Sequence, residues 1–433
     1  MSSAGLPSEL SFGGVRPLRG RLRVPGDKSI SHRAVMFAAL ARGRCRVEHL
    51  ATGEDVAATR RAFARLGVRS NDIVGALVVT GAGFDGLREP DDVLDCGNSG
   101  TTTRLLTGIL AGQSFVSILT GDASLRARPM RRIVEPLRRM GAAIDGRDDG
   151  NHAPLVVRGR ALQAIVHESQ VASAQVKSCV LLAGLQADGA TIVTEPIRSR
   201  DHTERMLGAF GAPIRVDGLT VVVERGGWDA FDLVVPADPS SAAFFAVGAA
   251  ITPGSDLVIE DVALNPTRIG FVEVLRRMGA AIEVREREVR AGEPVGEIHV
   301  RHAPLTATTI AGAEVPAVID EIPALAVAAA FAEGVTEIHD AAELTVKESN
   351  RIGTIHQELT QLGVGCEPLA DGLVIRGGAP RASKLKSHGD HRIAMAVAIA
   401  ANAIDGESAV RGWRAVGSSY PEFHEHLALV TGA

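Results

Sequence analysis

Residues 319–334 read Ile319-Asp320-Glu321-Ile322-Pro323-Ala324-Leu325-Ala326-Val327-Ala328-Ala329-Ala330-Phe331-Ala332-Glu333-Gly334. Two carboxylates precede a proline, an alanine-rich apolar stretch follows, and a glycine stops it. Proline just inside a start and glycine past an end punctuate a helix. A helix without a polar face belongs in a core. Working outward, Leu362-Gly363 ends a second helix, and Leu373–Arg376 reads as strand. The same signals recur along the chain. Alanine-rich stretches stop at Gly43, Gly112, Gly189, Gly254 and Gly406, successive stops (Gly334 included) lying 65 to 80 residues apart. Further helix ends read Leu66-Gly67, Met140-Gly141, Phe210-Gly211, Met278-Gly279 and, less clearly, Thr431-Gly432. Two signals in step predict six units of about 72 residues, each with two helices followed by strand. Such units exceed solenoid repeats in length, so small α+β layers grouped into larger domains are expected.

Composition agrees. The chain has 433 residues, 45% of them hydrophobic, which predicts two to four globular domains. A net charge of −5 argues against a general nucleic-acid binder but leaves room for a local cationic pocket. The longest apolar runs, such as Ala242–Ile251 and Ile393–Ala401, are too short to span a membrane, and residues 1–15 do not read as a secretory leader. Cys45, Cys96, Cys179 and Cys366 form no CxxC pair, which predicts reduced thiols in a cytosolic protein rather than zinc or disulfides. Only five of 46 basic residues are lysine: Lys28, Lys177, Lys347, Lys384 and Lys386. Lysine is a compact, titratable point charge where arginine is not, so Lys28, Lys177 and Lys347 merit attention. Lys384 and Lys386 read as exposed.

The Pro/Gly breaks near 24–26 and 235–239 bracket three units and leave three outside. This predicts one domain over 26–237 and another from 1–25 with 238–433. Two crossings make a hinge, and a crevice between halves is where ligands bind. The segments rich in reactive side chains lie at helix starts, where free N–H groups and the helix dipole attract anions. They are Pro25–Arg33 (PGDKSISHR), which precedes an apolar helix expected over 34–41, Asp95–Arg104 (DCGNSGTTTR), Gly121–Met130 (GDASLRARPM), a loop before a helix expected to start at its proline, Ser173–Ser178 (SAQVKS), Ile197–Arg205 (IRSRDHTER), Val346–Arg351 (VKESNR) and Ser387–Arg392 (SHGDHR). Lys347 and Arg351, four apart, are expected on one helix face. Lysines and arginines facing one crevice suit a small polyanionic substrate carrying phosphate or carboxylate.

Taken in order, PGDKSISHR, GNSGTTTR, RARPM, SAQVKS, RDHTE, IDEIPALAVAAAFAEG, VKESNR, GDHRIAM and SYPEF resemble the EPSP synthase family over essentially the whole chain. The resemblance implies an α+β fold of two domains, each of three βαβαββ units, with the active site in the crevice between them. It implies transfer of the enolpyruvyl group of phosphoenolpyruvate to the 5-hydroxyl of shikimate 3-phosphate, through a tetrahedral intermediate. Lys28, Ser29, Arg33, Ser173, Ala174 (through its backbone), Gln175, Arg200, Asp320 and Lys347 would hold shikimate 3-phosphate. Lys28, Asn98, Gly100, Arg128, Gln175, Arg351, His391 and Arg392 would hold phosphoenolpyruvate. Asp320 and Glu348 are the expected catalytic carboxylates, Asp320 near the acceptor hydroxyl and Glu348 near the methylene carbon. Lys28 would neutralise the oxygen that leaves with phosphate. No cofactor, metal, nucleic acid or membrane is expected. A monomer inhibited by glyphosate is.

The chain departs from the commoner family pattern at Ala174 (usually serine), Arg200 (often tyrosine) and Ser418 (often lysine). These place it nearer the family's divergent second class. Two other readings compete. Transfer to UDP-N-acetylglucosamine calls for a loop cysteine at the position of Ala123, and that loop has none. A non-catalytic anion-binding or RNA-end-processing repeat protein would not need Lys28, Asp320 and Glu348 together.

Overall fold

The computed structural model describes residues 5–433. Six small sheets alternate with helices, one sheet per predicted unit. The unit around residues 94–158 shows the pattern. Strand Leu94–Asp95 leads to helix Gly100–Ala111 and strand Val116–Thr120; helix Arg131–Arg139 and strands Ala143–Gly146 and His152–Arg158 follow. The first two strands pair in parallel, Leu94 opposite Leu119, and the last two add antiparallel. The βαβαββ repeat expected from the sequence is therefore what the chain forms. All six second helices end at a glycine with φ between +68° and +101°: Gly67, Gly141, Gly211, Gly279, Gly363 and Gly432. A Cβ would strain that left-handed conformation.

Two compact units result. One comprises Lys28–Val235 with Val289–Glu293; the other comprises the residues up to Asp27, Pro236–Glu288 and Pro294–Ala433. Each completes a sheet with a strand distant in sequence. In the first, Asp232–Val234 pairs in parallel with Arg42–Glu48. In the second, Arg19–Leu22 pairs with Asp256–Ala263, and Glu9–Gly13 lies antiparallel to Glu407–Arg411.

The first helix of each repeat is core. Every residue of Pro239–Ile251, Ile322–Ala330 and His391–Asn402 is buried. Each large apolar side chain so buried contributes about 1.5–3 kcal/mol before entropy is subtracted. Helices Lys28–Leu40, Gly100–Ala111 and Ala174–Gly184 are buried apart from a few polar or small residues near their starts in the other unit. The last two meet backbone to backbone, since a Cβ on Gly108 would lie 2.2 Å from the Cys179 carbonyl oxygen. Gly108→Ala is therefore expected to cost about 1–3 kcal/mol or more, read as a lowered thermal midpoint; an unchanged midpoint would show that the two helices part freely.

Three helix expectations need correction. The first helix begins at Lys28, not Ala34, so Lys28, Ser29 and Arg33 lie on its first turns. Apolar patterning marked only the stretch packed among apolar neighbours, while the polar start is buried by hydrogen bonds. The Gly121–Met130 loop contains its own helix, Ala123–Ala127, capped by Asp122, and Pro129 precedes the next helix rather than starting it. Lys347 and Arg351 do not share a helix face. Lys347 is extended after the 3-10 turn Ala342–Val346, and the helix starts at Arg351 behind its Asn350 cap.

Candidate active site

In the unit built on Lys28–Val235, helix starts and the loops beside them form a connected polar cluster. Lys28 Nζ lies 3.1 Å from Asp55 Oδ2. Thr59 Oγ1 joins His32 Nδ1 and Thr102 Oγ1, both at 2.7 Å. Ser99 caps helix Gly100–Ala111 by accepting the Thr102 N–H. The Asn98 amide donates to Asp122 (2.7 Å) and accepts from Arg128 Nη2 (2.6 Å). The Gln175 amide accepts from Arg104 Nη1 (2.6 Å) and donates to Thr101 (3.0 Å). Arg33 is 3% exposed, and its nitrogens donate to Thr203 Oγ1, Ser178 Oγ and the Ser29 carbonyl. Buried Arg128 Nε has no hydrogen-bond partner, an arrangement that suits a guanidinium waiting for an anion. Arg200 is half-buried on the loop after Ser199.

In the other unit, Arg351 is the centre. It is 1% exposed. Its Nε and Nη2 donate to Asp390, Nη1 to Asp320 Oδ1 (3.2 Å), and Nη2 also to Glu348 Oε2 (2.7 Å). Asp320 is also approached by Lys347 Nζ (3.6 Å) and Arg392 Nη2 (3.9 Å), and Arg392 Nη1 donates to its carbonyl at 2.9 Å. Asp390 caps helix His391–Asn402, so it fixes where that helix starts as well as where Arg351 points. Burial opposes the Asp390 charge, but the Arg351 guanidinium prevails and holds that carboxyl below its ordinary value. Behind these, Glu321 accepts from Ser240 and faces Arg392 at 3.7 Å.

The structure thus gathers Lys28, Ser29, Arg33, Asn98, Gly100, Arg128, Ser173, Ala174 and Gln175 in one unit, with Arg200 on the loop beside them. It gathers Asp320, Lys347, Glu348, Arg351, His391 and Arg392 in the other. The sequence reading assigned no role to Asp55, Arg104, Asp122, Glu195, Glu204 or Asp390. Asp122 and Asp390 had a legible signal, an Asp two or fewer residues before a helix. Ser418 turns its hydroxyl to the Ala415 carbonyl (2.9 Å). Cys96, in the Asp95–Arg104 loop, is no nucleophile, because burial pushes its thiol up to about 11. Among the described residues no cluster of His, Cys, Asp and Glu fits a metal ion, and no helix is long and apolar enough to cross a membrane. One cluster is rich in cations at helix starts and suits anions. The other sets two carboxylates on one guanidinium and suits proton transfer.

Residues 13–427 match the family model for EPSP synthase (3-phosphoshikimate 1-carboxyvinyltransferase). The chain belongs to the EPSP synthase family. It is 54% identical to a 3-phosphoshikimate 1-carboxyvinyltransferase of Pelotomaculum thermopropionicum, over 98% of this chain and 99% of that one. It is 51% identical to one of Desulforamulus reducens, over 98% and 99%. Its fold is similar to the solved EPSP synthase of Acinetobacter baumannii, with a TM-score of 0.87 and 43% identity over 98% of both chains. The enolpyruvyl transferase NikO of Streptomyces tendae, at 19% identity and a TM-score of 0.79, shares the fold.

Proposed function

We propose that the chain acts on phosphoenolpyruvate and shikimate 3-phosphate. The reaction is the family's: the enolpyruvyl group passes to the 5-hydroxyl of shikimate 3-phosphate and phosphate is released. The acceptor oxygen bonds to C2 of phosphoenolpyruvate while its proton is removed and the methylene carbon gains one. The tetrahedral intermediate then loses a proton from that methyl group as the C–O bond to phosphate breaks. Asp320 takes the hydroxyl proton. Three cations flank it, the setting an ionised carboxylate needs. Glu348 serves the carbon, and Lys28 neutralises the departing oxygen. One observation carries this reading: Arg351 binds Asp320 through Nη1 and Glu348 through Nη2, so a single buried group sets the spacing of both carboxylates. Arg128 and Arg392 grip the anionic ends of phosphoenolpyruvate. Ser29, Ser173 and Gln175 with Arg33, Arg200 and Lys347 hold shikimate 3-phosphate. The enzyme works in the cytoplasm as a monomer.

Phosphate release from phosphoenolpyruvate tests the assignment. Release is expected with shikimate 3-phosphate and not with UDP-N-acetylglucosamine; the reverse result, or release with neither, overturns it.

Glyphosate should compete with phosphoenolpyruvate. A Cβ on Gly100 would stand 3.0 Å from Arg104 Nη1 and 3.3 Å from Arg128 Nη1. Both are ends of flexible side chains, so Gly100→Ala should fold and displace the guanidinium that grips the anion. Its inhibition constant for glyphosate should rise at least about tenfold, a 1.4 kcal/mol loss. Equal inhibition of both forms would refute the steric argument.

A further inference from the structure

We propose that Glu195 is a positioning residue that sets the geometry of the shikimate 3-phosphate contacts, an inference that rests on the reaction assigned above. Glu195 follows strand Thr191–Thr194 and is 4% exposed. Its Oε1 accepts the backbone N–H of Ser173 at 3.2 Å, and Ser173 caps helix Ala174–Gly184. Its Oε2 accepts from Lys177 Nζ at 2.6 Å and from the backbone N–H of Ser199 at 3.4 Å. One carboxylate therefore ties Ser173, Ala174 and Gln175 to the loop that carries Arg200. No neutral side chain of that size offers enough acceptor sites for three donors arriving from separate directions.

Lys177 completes the device. It is 3% exposed and its Nζ also meets Glu204 Oε1 at 2.6 Å. Glu204 adjoins Thr203, the residue that receives Arg33 Nε at 2.7 Å. Helix Ala174–Gly184 is thus pinned to the start of helix His202–Ala209 beside Arg33. A bare negative charge behind an anion site would oppose binding. Lys177 offsets the charge of Glu195, and burial pushes the Glu204 carboxyl up, with Lys177 opposing that shift.

Glu195→Gln keeps the size and one acceptor oxygen but loses the second. The expected result is a KM for shikimate 3-phosphate raised about 10- to 100-fold, the size of a lost charged hydrogen bond. Both kcat and the KM for phosphoenolpyruvate should change less than about threefold. Should the single variant fail to fold, Lys177→Met with Glu195→Gln and Glu204→Gln removes all three charges together, a replacement that a buried ion triad can tolerate, and should show the same split. An unchanged KM for shikimate 3-phosphate in a folded variant, or a fall in kcat alone, overturns the proposal. Absence of turnover in the unaltered chain overturns the assigned reaction instead, so the two failures are told apart.

Discussion

Glu348→Gln should lower kcat by about 10²–10⁴-fold, the usual worth of a positioned general acid or base, while shikimate 3-phosphate still binds. The glutamine has nearly the shape of the carboxylate, and its amide oxygen can still accept from Arg351 Nη2, which now donates at 2.7 Å. What it lacks is the capacity to pass a proton to and from the methylene carbon. Glu348 lies on the segment between the turn Ala342–Val346 and the helix beginning at Arg351, so its replacement does not disturb the apolar core. Thermal unfolding should shift little. Calorimetric titration with shikimate 3-phosphate, set beside single-turnover rates, separates binding from chemistry. Normal turnover would remove Glu348 from the mechanism.

The second large effect concerns Arg351. Arg351→Met should lower stability by about 3–5 kcal/mol, the cost of removing one partner from a buried ion network, and should abolish phosphoenolpyruvate binding. Its guanidinium touches Asp320, Glu348 and Asp390 together, so the variant leaves three carboxylates facing one another. The pH dependence has a definite sign. With Arg351 present, the Asp390 carboxyl is held below its ordinary value, chiefly by that guanidinium working against burial. This contribution is full above the ordinary carboxylate range and is lost as pH falls through the depressed value. In the variant the crowded carboxylates favour protonation, so acid relieves it. The gap in melting temperature between the two proteins should be widest near neutrality and narrow as pH falls towards about 4. A gap independent of pH would show that packing, not charge, is what Arg351 contributes.

The repeat was legible because both of its signals are local. An apolar helix that stops, and a glycine the next helix needs beyond its end, each occupy a few consecutive residues. Gly67 through Gly432 all adopt the expected left-handed conformation. The helix-start motifs were legible for the same reason. Their internal geometry was not. Lys347 and Arg351 read as an i, i+4 pair, yet they reach Asp320 from an extended residue and a helix start. Asp55 and Glu195 lie outside every helix-start motif. They matter because Lys28 and Lys177 lie beside them after folding, 27 and 18 residues away, and no periodicity records that separation. Arg33 was expected to hold shikimate 3-phosphate, and Thr203 and Ser178, 170 and 145 residues distant, accept from its guanidinium.

The borrowed strands impose an order on biosynthesis. Glu9–Gly13 leaves the ribosome long before its partner Glu407–Arg411 is made. Arg19–Leu22 likewise waits for Asp256–Ala263. The Lys28–Val235 segment, by contrast, holds its own closing strand, Asp232–Val234, and can form its sheets as soon as that strand emerges, with Val289–Glu293 joining later. For much of translation, then, a largely assembled unit trails a bare leading segment with unpaired strand edges. That interval is when the nascent chain is most open to proteolysis and to pairing with a neighbouring copy.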